Sequence, residues 1–152
     1  MITIYGNKIP KLFFMAAFVL SFHAAKGQSI MQKLKSNNQT SHFAQALEKT
    51  DLSSKLNKSG PYTLFAPSNK AFDKLTSTQQ ENSQLLLNHI FTGMATERSL
   101  KAMTEVTCLS GKTIKLKDAK NGQSVSVDSY VIIAPNIRAS NGVIHIINGV
   151  IK

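Results

Sequence analysis

The feature that most constrains the fold is a nearly continuous apolar run close to the C-terminus, Val143 to Ile151. A strand with one face in water alternates apolar and polar residues, whereas a strand covered on both faces is apolar almost throughout. Asn141-Gly142 stands just before the run and favours a tight turn. The sequence therefore predicts a final strand buried on both faces, and Tyr130 to Ala134 predicts a second such strand.

The first half of the chain has helical patterns. Apolar residues recur three and four positions apart, as at Phe43, Ala44 and Leu47, which is the spacing of a helix with one buried face. A capping-box pattern at Thr78 to Glu81 predicts the start of a helix that runs through Leu87.

The second half has strand patterns. Ile114 and Leu116 alternate with polar residues, as in a half-buried strand. Asn121-Gly122 favours a hairpin turn, after which Val125 and Val127 resume the alternation. Helices followed by strands place the chain in the α+β class.

The N-terminal segment has the layout of a secretory signal peptide. Lys8 and Lys11 precede a 14-residue apolar run, Leu12 to Ala25, and small residues follow up to Gly27. As a helix the run extends about 21 Å, which is less than the bilayer core of about 30 Å. We therefore predict a cleaved signal peptide over residues 1–28. The alternative is an uncleaved N-terminal anchor.

The rest of the chain, residues 29–152, has the length of one domain. We expect it to be exported to the periplasm or the cell exterior, and we find no transmembrane pattern in it. Cys108 is the lone cysteine, so no internal disulfide can form. A lone cysteine in an exported protein is typically buried in a strand.

The charge balance is basic, with a formal net charge of +10. Loss of the three lysines in the signal peptide leaves about +7 on the mature domain, which favours acidic partners without constraining the fold. Export and the presence of only two arginines, Arg98 and Arg138, argue against nucleic acid. Acidic polysaccharide or an anionic cell surface fits better, and the alternative is a basic face that contacts only solvent.

No motif for catalysis or cofactor binding withstands inspection. Gly111-Lys112-Thr113 resembles the end of a phosphate-binding loop, but the motif needs glycine where Val106 stands. His42, His89 and His145 match no metal-ligand spacing, and no nucleophile-elbow motif occurs. His89 and His145 lie within apolar runs and are interpreted as structural core residues. We predict no metal, no cofactor and no enzymatic activity.

Four lysines cluster on the predicted hairpin: Lys112, Lys115, Lys117 and Lys120. Lys115 and Lys117 share one face of a strand because side chains alternate with a period of two. One interpretation is a solvated edge strand that lysine protects from aggregation. The other is a patch that binds an anionic partner.

Three segments in fixed order resemble the fasciclin domain: Gly60 to Phe72, Leu85 to Phe91 and Ser140 to Ile151. Ile30 to Leu56 also resembles the N-terminal helices of this family, so the likeness covers the whole mature chain. The residues that carry the signature in a structural role are Pro67, Ser68, Asn69, Ala71, Phe72, Asn141, Gly142 and His145.

The resemblance implies a wedge-like β-sheet core with several short α-helices packed on one side. It also implies a non-catalytic role in adhesion to a cell-surface or matrix protein, without a cofactor. In the family a tyrosine commonly precedes the central histidine, where this chain has Asn88. The resemblance makes Asn88 and His89 candidate partner-binding residues beside Lys115 and Lys117. The alternative is a small-ligand-binding or enzymatic envelope protein whose cleft is built from distant residues.

The signal-peptide prediction is tested by N-terminal sequencing of the protein recovered from the periplasm or medium of the producing cell. We expect the mature chain to begin close to Ser29, because the small residues that a signal peptidase needs end at Gly27. Recovery of an exported chain that still begins with Met1 would contradict the prediction.

Overall fold

The computed structural model describes residues 27–58, 60–119 and 122–152. The predicted signal peptide, residues 1–28, lies outside the described residues except for its last two positions. None of the helices in these three ranges is long and apolar enough to cross a membrane.

The described residues form short helices and one mixed sheet. The helices are α1 (Ile30–Ser36), α2 (Ser41–Lys49), α3 (Leu52–Lys58), α4 (Asn69–Phe72), α5 (Ser77–Gln80), α6 (Ser83–Leu87) and α7 (Glu97–Lys101). The strands are β1 (Tyr62–Pro67), β2 (Ile90–Thr92), β3 (Glu105–Thr107), β4 (Thr113–Asp118), β5 (Val125–Val127), β6 (Tyr130–Ala139) and β7 (Gly142–Ile147). The predicted α+β class is confirmed.

Strand β7 lies inside the sheet, whose strand order is β2-β1-β7-β6-β5-β4-β3. It pairs with β1 in parallel, from Tyr62 opposite Gly142 to Pro67 opposite Ile147, and with β6 in antiparallel. Every residue of β1 and β7 is buried. The prediction of a final strand covered on both faces is therefore confirmed, although the strand ends at Ile147 and the last residues continue outside the sheet.

The two faces of the sheet are covered by two separate apolar clusters. Leu64 and Ile144 lie in the cluster under helices α1, α2, α4 and α6. Phe65 and Ile147 lie in the cluster on the opposite face. Helix α7 belongs to this second cluster through Leu100, because it packs on β4 and β5. Thus most helices lie on one side of the sheet, as expected, and α7 is the exception.

Strand β6 differs from the sequence prediction. Its residues were expected to be covered on both faces, yet only Ile132 is buried and Ile133 is 51% exposed. The register with β7 shifts on both sides of Ala134, and Asn136 has a positive φ of 60°. Two irregularities turn the strand away from the sheet plane, so its apolar residues do not all point into a core.

Asn141, in the turn before β7, forms hydrogen bonds with residues of three other elements. The side-chain oxygen of Asn141 accepts the N–H of Ile30 at 2.8 Å, and its amide nitrogen donates to the carbonyl of Leu56 at 2.8 Å. Its own carbonyl accepts the N–H of Tyr62 at 3.1 Å. Asn141 therefore joins the start of α1 and the end of α3 to the start of β1.

Helices α5 and α6 are separate, whereas the sequence predicted one helix from a capping box at Thr78. The capping box is formed instead by Thr76 and Gln79. Glu81 caps the C-terminus of α5, and the side chain of Asn82 accepts two N–H groups of the first turn of α6. The prediction was wrong because Asn82 is a strong N-cap that begins a new helix.

Gly142 is required by space rather than by a positive φ. A Cβ at this position would lie 2.0 Å from the main-chain oxygen of Tyr62 and 2.6 Å from the side chain of Ile30. The close approach of β1 and β7 therefore depends on the missing side chain.

We predict that Gly142→Ala destabilises the domain by about 3 kcal/mol or more, because the new methyl group forces the two central strands apart. Urea unfolding of residues 27–152 measures the change. Gly27→Ala is the control, since its Cβ would meet only Ser140 at 3.7 Å. Equal unfolding midpoints for the two variants would show that the strands do not need this close approach.

Candidate functional site

The sequence-predicted site residues lie in two places. Asn88 and His89 are inside the domain, between the end of α6 and the start of β2. Lys115 and Lys117 are exposed on β4. The structure therefore does not bring the four residues into one site.

His89 is fully buried and both of its ring nitrogens are hydrogen-bonded. Nε2 accepts the N–H of Ile151 at 3.0 Å, so the ring proton is on Nδ1, which donates to the carbonyl of Leu85 at 3.1 Å. The ring packs against Phe43 with centroids 5.5 Å apart. Burial lowers the pKa of His89 to about 4, against the opposing effect of the Leu85 carbonyl.

Asn88 holds the same segment as His89. Its side-chain nitrogen donates to the carbonyl of Ile151 at 3.2 Å, and its exposed fraction is 8%. Together the two side chains bind the N–H and the carbonyl of one residue, which fixes the segment after β7 against α6. Their polar groups thus serve contacts within the domain.

His145 is the corresponding buried histidine of β7. Its Nδ1 accepts the N–H of Asn136 at 3.3 Å, so Nε2 carries the proton and donates to the carbonyl of Ala95 at 2.8 Å. Burial lowers its pKa as well. The neighbouring Thr63 hydroxyl accepts the N–H of Ala95 and donates to the carbonyl of Gly93. His145 therefore ties the loop after β2 and the irregular part of β6 to the sheet.

The other signature residues position α4. Pro67 is the last residue of β1, and the Ser68 side chain caps the helix by accepting the N–H of Ala71. The Asn69 side chain accepts the N–H of His42 at 3.1 Å and donates to Asn38 at 2.9 Å, which joins α4 to α2. The last two signature residues of this helix, Ala71 and Phe72, are buried in the core.

Of the four lysines on the predicted hairpin, two lie on the exposed face of β4. Lys115 and Lys117 share the exposed face, with Glu105 of β3 opposite Lys115. Within the described part of the chain neither lysine forms an ion pair. The Lys112 ammonium instead contacts the main-chain oxygen of Lys152, and Lys120 lies outside the described residues.

The interpretation of β4 as a solvated edge strand is wrong. β4 pairs with β3 on one side and β5 on the other, and β3 occupies the edge. The predicted turn between β4 and β5 includes Asn121, which lies outside the described residues; Gly122 has a positive φ of 67°. The lysines are therefore not explained by protection of an edge.

The described residues supply neither a reactive thiol nor a cluster of metal ligands. Cys108 is buried, and burial raises the pKa of its thiol to about 12, so the nucleophilic thiolate is not formed near neutral pH. Residues 27–58, 60–119 and 122–152 contain no group of three His, Cys, Asp or Glu side chains placed to hold a metal ion.

Sequence reasoning missed a polar surface cavity of about 230 Å³ between α2 and α4–α5. His42 is hydrogen-bonded to Asp73 at 2.6 Å, and Lys49 forms an ion pair with Glu81 at 3.3 Å, so two polar contacts join its walls. The one available signal was the spacing of seven between His42 and Lys49, which places both on one face of α2. Their acidic partners come from elsewhere in the chain and carried no such signal.

Comparison with known proteins identifies the family. The fasciclin domain model matches residues 38–152. The chain is 33% identical over 135 residues to protein sll1483 of Synechocystis sp., covering 81% of this chain and 72% of that protein. It is 30% identical over 132 residues to transforming growth factor-beta-induced protein ig-h3 of Sus scrofa, covering 82% of this chain. The chain therefore belongs to the fasciclin domain family.

A solved structure supports the same fold. The domain pair of the insect cell adhesion molecule fasciclin I superposes with a TM-score of 0.67 at 16% identity, over 82% of this chain and 51% of that one. The chain spans 19% of the Sus scrofa protein and 16% of human periostin, to which it is 29% identical. The similarity thus concerns one domain of these longer proteins.

The buried histidines make stability pH-dependent. The pKa of His89 is about 4 in the folded domain, against 6.5 when the side chain is exposed. The folding stability that depends on a neutral His89 is therefore fully present above pH 6.5 and is lost as the pH falls towards 4. This difference between the two pKa values corresponds to about 3 kcal/mol in the free energy of unfolding. We predict that His89→Gln lowers stability at pH 7 but loses less between pH 7 and pH 4 than the wild type.

Urea unfolding at several pH values measures this dependence. His42→Gln is the control, because it replaces an exposed histidine and leaves both buried ones in place. If His89→Gln and wild type lost equal stability over the acid range, the burial of a neutral His89 would not be the cause.

Proposed function

We propose that this protein is an exported binding or adhesion module without catalytic activity. The observation that carries the proposal is the use of three reactive side chains: His89, His145 and Cys108 are buried, and these two histidines are hydrogen-bonded to the backbone. Side chains occupied in this way stabilise a scaffold rather than reach a substrate. The exposed charges are then the groups available to a partner.

Family membership supports this role. The solved domain pair with the same fold comes from the insect cell adhesion molecule fasciclin I. We extend that role to this chain as a proposal, together with a cleaved signal peptide over residues 1–28 and a final location in the periplasm or outside the cell. The expected partner is a cell-surface or matrix protein, or an acidic polysaccharide.

We place the partner contact on the exposed face of β4, at Lys115 and Lys117. The two ammonium groups stand on one face of a strand held by neighbours on both sides. Asn88 and His89, the other candidates, are buried and hold Ile151. A partner reaching them would first have to displace the segment after β7.

Adhesion between two surfaces needs two attachment points, and one such face supplies a single one. We therefore propose that the domain reaches its second attachment point by one of three routes. It forms an oligomer, it uses a second face of the same domain, or it binds a partner that is itself anchored. Analytical ultracentrifugation and a pull-down with the purified domain distinguish these routes.

The contact is tested by the double variant Lys115→Glu, Lys117→Glu. We expect its affinity for an immobilised acidic polysaccharide to fall at least about tenfold, and the salt dependence of binding to become weaker. Surface plasmon resonance over a salt series measures both quantities.

Lys58→Glu, Lys70→Glu is the matched control, because it changes the net charge equally at two exposed lysines on the helical side. Equal losses for the two double variants would indicate that net charge alone drives binding. Unchanged affinity of the β4 variant would remove this face from the proposal.

A further inference from the structure

A second cavity lies between the end of α4, the start of β6 and the segment after β7. It has a volume of about 210 Å³. Its walls include Lys74, Leu75 and Tyr130, together with Asn148, Val150 and Lys152 from the segment after β7. These residues are far apart in sequence, and no sequence pattern had indicated that they meet.

The charged and polar side chains of this cavity are donors. Within the described residues Lys74 forms no ion pair, and the Lys152 ammonium is also unpaired. The Asn148 oxygen accepts the N–H of Val131 at 2.9 Å, which leaves its amide nitrogen as a donor. No aspartate or glutamate lines the cavity. A wall of donors without an acid favours an anion.

Backbone donors add to this preference. Gly149 and Val150 line the cavity, and neither N–H group donates to an acceptor in the part of the chain that the structure describes. Buried N–H groups pair with protein or with ordered water, so these two groups are available to an acceptor that enters the cavity.

The remaining wall is apolar and firmly placed. The ring of Tyr130 lies directly over Gly149, where a Cβ would meet the ring at 1.8 Å. Leu75 and Val150, both buried, also line the cavity. The main-chain oxygen of Lys152 accepts a hydrogen bond from the Lys112 ammonium. A flat apolar face beside a cationic rim suits a ring that carries one carboxylate.

We propose that this cavity binds a small carboxylate-bearing ring of the uronic acid type, with the carboxylate between Lys74 and Lys152 and the ring against Tyr130. The volume is below the roughly 300–1,000 Å³ of pockets for drug-sized ligands, so the site has room for one such ring. The ring is either a free small molecule or one residue of an acidic polysaccharide. The site shares no residue with the β4 face and does not depend on it.

The test is titration of isotope-labelled residues 27–152 with glucuronate, followed by NMR amide shifts, with glucose as the neutral probe. We expect the Gly149 and Val150 amides to shift with glucuronate and not with glucose. Lys74→Gln, Lys152→Gln should weaken binding at least about tenfold, the effect of losing charge-assisted hydrogen bonds. Lys70→Gln is the control, because Lys70 is an exposed lysine of α4 outside the cavity.

Each outcome decides the proposal. No shift at these amides up to about 10 mM glucuronate, a range that includes very weak sites, would overturn it. Equal shifts with glucose, or an equal loss of affinity in Lys70→Gln, would overturn the role of the two lysines. Titration with a uronate oligomer then distinguishes the sources: tighter binding than glucuronate, lost in the same double variant, identifies a residue within a polymer.

Discussion

The parallel pairing of β1 with β7 is the interaction on which the rest of the structure depends. Both strands are buried along their whole length, so each face of the pair must be covered by other parts of the chain. Helices α1, α2, α4 and α6 cover one face, and α7 with β3–β5 covers the other. The pair can form only because Gly142 has no side chain where the Tyr62 carbonyl approaches.

Two buried histidines accompany this pair and give the core a polar component. Each accepts one backbone N–H and donates to one backbone carbonyl, so each satisfies main-chain groups that no strand partner reaches. The arrangement requires neutral rings. His145 connects β7 to the loop after β2, and His89 connects the end of α6 to the segment after β7.

Sequence reasoning was successful where the signal is local. The burial of β7 followed from an apolar run, and the turn just before this strand followed from Asn141-Gly142. It was unsuccessful where the outcome depends on distant partners. The exposure of Ile133 results from shifts in register with β7, and the interior position of β4 results from pairing with β3 and β5.

The candidate sites show the same limit. Strand alternation correctly placed Lys115 and Lys117 on one exposed face. The cavity beside Tyr130 was not foreseen, because Lys74 and Lys152 approach each other only when the segment after β7 returns to α4. No spacing in the sequence encodes that approach.

Strand β7 follows the other strands in the sequence, and this position affects when the domain can fold during synthesis. Strands β1 and β6 both pair with β7, so neither strand can complete its pairing until Gly142–Ile147 has left the ribosome. A nascent chain of this protein therefore lacks the middle of its sheet until Gly142–Ile147 has been synthesised. For a protein exported as proposed, an open chain suits a narrow translocation channel, and folding is completed only after the last strand has crossed.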